Sequence, residues 1–170
     1  TAEPLLRRAV PVLIIAFLVT ICVGALVQVV DQRRHALDTM VTTLDAVADV
    51  GAERLRRPLR NASEAAGRPQ ELLTMALPDW ATDAGRQFFI TNDHGLVTAV
   101  MPATDGAIGR RLIDLLGPTQ ALTTFGAGAG VMEITLPNES RALATVRALQ
   151  PPFGQFAVVQ SRDAALASWR

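Results

Sequence analysis

Two apolar patterns follow one another in the first third of the chain. From Ala9 to Val30, "AVPVLIIAFLVTICVGALVQVV", 22 consecutive residues carry no charge. At a rise of 1.5 Å per residue such a helix is about 33 Å long, enough to cross the hydrocarbon core of a bilayer. A core helix of a small soluble domain seldom stays apolar on every side for that length, so the segment reads as a transmembrane helix over 9–30. A cleaved signal peptide would have a shorter apolar region and a small-x-small cleavage site, which "GALVQVVDQRR" does not offer. Residues 1–8 are then a cytoplasmic tail. The arginine balance around the span is nearly even, with Arg7 and Arg8 before it and Arg33 and Arg34 after it. The short tail and the large following region favour an N-terminus inside, which places everything after residue 30 in the periplasm.

Beyond the span the pattern becomes one-sided. Leu37, Val41, Leu44, Ala48, Gly51 and Leu55 recur at spacings of four and three, the apolar stripe of a stalk helix over 31–57 that Pro58 stops. The stripe has two readings: a parallel dimer contact that carries motion to the membrane, or a face packed against the chain's own domain. Residues 58–85 are a polar link and a short helix, whose first turn suits Pro69 and which ends near Ala76.

After Trp80 the period shortens. "RQFFITN" and "LVTAVM" are rich in β-branched and aromatic residues, and the polar turn between them predicts a hairpin. "GRRLIDLLGPTQALTTF" is helical in character, with Arg110 and Arg111 at its start and Pro118 opening a second short helix; "GAGAG" then reads as a flexible link. Three more strands follow in "VMEITL", "RALATVRAL" and "QFAVVQ", joined by "PNES" and "QPPFG". The sum is an α+β fold: a five-stranded antiparallel sheet over 86–160 with short crossing helices, one face covered by those helices and the other left for the stalk.

Charge and chemistry narrow the function classes. Sixteen acidic residues balance sixteen basic ones, all arginine, so no overall field points to nucleic acid. Cys22 is the single cysteine, which leaves no internal disulfide and no Cys-based zinc site. Asp93 and His94 adjoin in a turn, where neighbouring side chains normally diverge, and the other histidine, His35, belongs to the stalk; no metal site is expected. No nucleophile elbow, phosphate loop or kinase motif occurs, so this stretch is expected to be no enzyme and to need no cofactor.

The run "FFITNDHGLVTAVMPATDGAIGRRLIDLLG" and the closing "FAVVQSRDAALASWR" resemble the extracytoplasmic PAS-like sensor domains, called PDC or Cache, of bacterial sensor histidine kinases and chemoreceptors. The likeness is nearest in character to alphaproteobacterial membrane kinases. It implies a PAS-like sheet and a ligand pocket between sheet and crossing segment, where Met101, Arg110, Phe125 and Arg147 are the candidates. Met101 and Phe125 would line it, with core packing as their alternative. Arg147, which interrupts an apolar strand, is either a pocket cation for a carboxylate or an edge residue facing water; Arg110 and the adjacent Arg111 face a ligand, solvent or lipid headgroups. The expected function is signal sensing for a histidine kinase in the inner membrane, as a homodimer, with a ligand-free dimerisation module and a chemoreceptor or cyclase sensor as alternatives. Residues 161–170, ending in Trp169 and Arg170, would lead into a second span.

Overall fold

The computed structural model describes residues 3–59, 67–117 and 126–167. The chain forms two units, Thr1–Met40 and Val41–Arg170. One helix, α1 (Glu3–Leu59), contributes to both. In the first unit α1 includes Leu13–Asp31, 19 residues long and apolar enough to cross a membrane, with none of it buried. Its Leu, Ile, Phe and Val side chains are exposed on every side of the helix. Water is a poor solvent for such a surface and hydrocarbon a good one. α1 ends one residue after Pro58, which lacks the N–H for the next helical hydrogen bond.

The second unit is built on one sheet. Its strands are β1 (Arg86–Asn92), β2 (Val97–Met101), β3 (Met132–Thr135), β4 (Arg141–Ala148) and β5 (Phe153–Ser161), in the spatial order β2-β1-β5-β4-β3 with every neighbour antiparallel. This is a PAS-like α+β arrangement. β5 holds the centre between β1 and β4, so burial along these three is nearly continuous, whereas edge strand β3 buries only Ile134. Because β2 and β3 lie at opposite edges, the chain between them has to cross the sheet. That connection holds α3 (Leu112–Leu116) and a 3-10 turn at Gly126–Ala129. A short helix α2 (Pro69–Ala76) and a 3-10 turn (Asp79–Gly85) precede the sheet, and α4 (Arg162–Ala167) follows it.

Strand alternation sorts the core into two layers. Phe89, Val100, Ala144, Val146, Ala157 and Val159 face the crossing connection, in one buried cluster with Leu112 and Leu116. Their strand neighbours, including Phe88, Ile90, Thr145, Phe156 and Val158, point to the opposite face, which receives α1. Leu44, Ala48, Gly51, Ala52 and Leu55 of α1 are buried. At Gly51 the fit has no slack: a Cβ there would come within 2.9 Å of Cε1 and Cζ of Phe156. Phe156 is itself fixed by stacking on Phe88, with ring centroids 6.0 Å apart. The stripe therefore serves the chain's own sheet from Leu44 onward, while Val41 is exposed.

Two local expectations change. "GAGAG" is no loose link: Gly126–Ala129 winds into the 3-10 turn, and Ala129 packs on the core cluster. Arg110 and Arg111 precede the crossing helix rather than form its first turn: it starts at Leu112, with Arg111 as its N-cap residue. Val97 N–H donates to the Arg110 carbonyl at 2.8 Å, and Leu112 N–H to that of Gly95 at 3.0 Å, so ladder bonding to the hairpin keeps them extended. The second predicted crossing helix, from Pro118, lies outside the described residues.

Candidate functional site

The β1–β2 turn is organised by Asn92. Its Oδ1 accepts from the backbone N–H of His94 at 3.0 Å and of Leu96 at 2.9 Å, while Gly95 adopts φ +75°. An asparagine that bonds its own following backbone and a glycine in the left-handed region are the two requirements of such a turn. Asp93 and His94 do not diverge: His94 Nε2 lies 3.6 Å from Asp93 Oδ1, both exposed. Among the described residues no group of three or more potential ligands could hold a metal ion.

The turn forms one wall of a cleft of about 180 Å³ beside the crossing connection. His94 and Gly95 come from the turn, Arg111, Leu112 and Leu116 from the crossing segment, and Val146 and Gln155 from the sheet. Arg111 reaches this wall because the ladder bonds that keep it extended also hold it against the hairpin. The lining combines apolar Leu112, Leu116 and Val146 with Arg111, His94 and Gln155, residue types suited to a small anion or carboxylate. Gln155 is fixed by its backbone N–H, which donates to Oγ1 of buried Thr91 at 3.0 Å. Next to it, β5 approaches β1 so closely that a Cβ on Gly154 would lie 2.1 Å from the Asn92 carbonyl oxygen; only glycine permits that contact.

No protein-family model and no curated protein matches this chain. Among solved structures, a methyl-accepting chemotaxis protein from Vibrio parahaemolyticus is similar over 79% of this chain and 97% of that one, with 17% identity and a TM-score of 0.54. At that identity the likeness is one of fold.

The three described candidates of the four expected to share a pocket do not converge. Met101 ends edge strand β2, half-buried opposite Phe88. Arg110 is exposed, one residue before the arginine that lines the cleft. Phe125 lies outside the described residues. Arg147 is on the α1 face, three strand spacings from Met101, or about 14 Å. Neither weighed alternative describes it. Its side chain is 17% exposed and its carboxylates come from within the chain: Nη2 donates to Asp45 Oδ1 at 2.5 Å and Nε to Asp49 Oδ1 at 2.6 Å. Nη1 donates to Thr145 Oγ1 at 2.8 Å and to the Val146 carbonyl at 3.2 Å. Burial opposes the charge, but the hydrogen bonds and attraction of Asp49 and Asp45 outweigh it and raise the pKa. Asp45 and Asp49, one helical turn apart, thus fasten α1 to β4 from one side of the buried stripe.

Sequence reasoning weighed Arg111 only together with Arg110, and it missed Gln155 and Gln70. The last caps edge strand β2: its Nε2 donates to the Val100 carbonyl at 2.8 Å and its Oε1 accepts from Val100 N–H at 3.0 Å. A primary carboxamide at the edge of a helix next to a strand is the available signal, but its partner lies 30 residues away.

Proposed function

We propose that this chain is the extracytoplasmic sensing region of a membrane-anchored receptor, and that its signal is a small anion taken up in the cleft between hairpin, crossing segment and sheet. One observation carries the reading: a single helix, α1, holds both a segment of membrane-crossing length and the residues Leu44–Leu55 fitted to a PAS-like sheet. A ligand that prefers one packing of the crossing segment shifts the sheet between two arrangements, and the helix fastened to that sheet receives the shift. In this reading α1 crosses the inner membrane, the sheet unit is periplasmic, and no reaction is catalysed. The output is a histidine kinase further along the receptor. A chemoreceptor output is the second reading, favoured by the description of the Vibrio protein of similar fold.

The test is thermal melting of the full chain in detergent micelles with acetate, pyruvate, lactate, succinate and the common amino acids. A ligand bound to the native state raises the melting temperature by mass action. The proposal requires a saturable rise with at least one compound, lost in Arg111→Ala. No shift across the panel would leave the chain without a small-anion ligand and contradict the reading.

A further inference from the structure

A second cleft, of about 420 Å³, lies between α1 and the segment that follows α2. Val47, Val50 and Arg54 of α1 line it together with Leu77, Pro78 and Trp80. Val50 is 54% exposed and Trp80 59% exposed, an apolar surface that water solvates poorly. Among the described lining residues only Arg54 is charged. Its guanidinium is barely engaged: Nη1 reaches the carbonyl of Ala76, which also lines the cleft, at 3.5 Å, and among the described residues no carboxylate pairs with it.

We propose that this cleft binds a medium-chain fatty acid, with its alkyl chain along α1 and its carboxylate on Arg54. Shape and charge select this occupant. The volume falls within the usual range of small-molecule sites, about 300–1,000 Å³. The lining runs along α1 from Thr43 to Arg54, about 17 Å of helix, which accommodates an extended alkyl chain rather than a compact metabolite. One guanidinium matches one carboxylate, whereas the further polar groups of a sugar or a polar amino acid would leave water without finding partners. The site goes beyond the sensing reading, since it shares no lining residue with the cleft that holds Arg111. Gly51, which admits the Phe156 ring, lines it too, so the bound chain rests on the turn of α1 that is fitted to the sheet.

The test is titration of the full chain in lipid nanodiscs with free fatty acids from hexanoate to dodecanoate at mildly alkaline pH. Emission from Trp80 is read in a Trp169→Phe background, with empty nanodiscs giving the free concentration after partition into lipid. The emission should shift to the blue and saturate, because the chain covers the exposed indole. Affinity should rise about fourfold per methylene, equivalent to roughly 0.8 kcal/mol, until the cleft is filled. Decanol should bind about fivefold more weakly than decanoate, and Arg54→Gln should abolish that difference. Val50→Glu should prevent binding of both; Val50 and Arg54 are exposed, so these variants keep the sheet unit folded. No saturable shift, or equal affinities for decanoate and decanol in the parent, overturns the proposal. So does emission that is already blue-shifted and insensitive to fatty acid, which would mean that a membrane lipid or a second copy of the chain covers the cleft. Failure of the sensing reading looks different: no short anion shifts melting, while the Trp80 titration with decanoate persists.

Discussion

The two faces of the sheet are covered in different ways. On one, a continuous helix is notched by Gly51 to receive the Phe156 ring and fastened at its side by Arg147 to Asp45 and Asp49. On the other, the described covering elements are short, α3 has five residues, and a cleft lies beside Leu116 and Val146. Close packing makes the first face resist change, because a tightly fitted interior has discrete arrangements and little compliance. The second face has room for a guest. The proposed sensing function would use both properties, one where the signal enters and one where it leaves.

Variants that attack each face should separate them, and the largest effect belongs to the fitted side. Phe156→Ala should cost about 3–5 kcal/mol in denaturant unfolding of the chain in mild detergent. Its signature is coupling: Gly51→Ala, destabilising in the parent, should become neutral or stabilising once the ring is gone, since alanine favours helix by about 1 kcal/mol over glycine. Leu116→Ala should cost about 2 kcal/mol, the low end for a buried leucine, because it enlarges a cleft that is already open. A cost equal to that of Phe156→Ala would mean that the two faces are equally rigid.

Arg147→Met should cost only about 1 kcal/mol, less at high salt. Asp45 and Asp49, 47% and 63% exposed, return to water when the guanidinium is removed. The role of Arg147 is to hold α1 in place, so the variant should loosen α1 more than it destabilises the sheet. His94→Ala is the smallest change, within about 0.5 kcal/mol by the same unfolding measurement. Any ligand shift should survive it better than Arg111→Ala, since the His94 side chain is 79% exposed.

Much of the sheet was legible because its signals are local. "RQFFITN" has the β-branched and aromatic content of a strand, and β1 occupies those residues; Pro69 opens α2 at the position where a proline costs no hydrogen bond. The stalk stripe was legible as a stripe but not in its destination, since spacings of four and three fit a sheet and a second helix equally well. What decided it was Phe156, about a hundred residues downstream of the glycine that admits it. The clamp was illegible for the same reason: Arg147 lies 102 residues from Asp45 and 98 from Asp49, and an arginine in an apolar strand does not announce which carboxylates will reach it. The helix start was legible to within a residue or two, with Arg111 as the N-cap, but not the extended backbone of Arg110 and Arg111, because the bonds that hold it come from Gly95 and Val97 in the preceding hairpin. Arg111, which lines the cleft, and Arg110, which does not, look alike in the sequence.

The most direct test of a fitted face opposed to an adaptable one is native-state amide hydrogen exchange of the full chain in detergent. Amides of α1 from Leu44 to Leu55 should exchange only with global unfolding of the sheet unit, and those of Leu112–Leu116 by local opening at much lower free energy. Equal protection of the two segments, or slower exchange in Leu112–Leu116, would contradict the account.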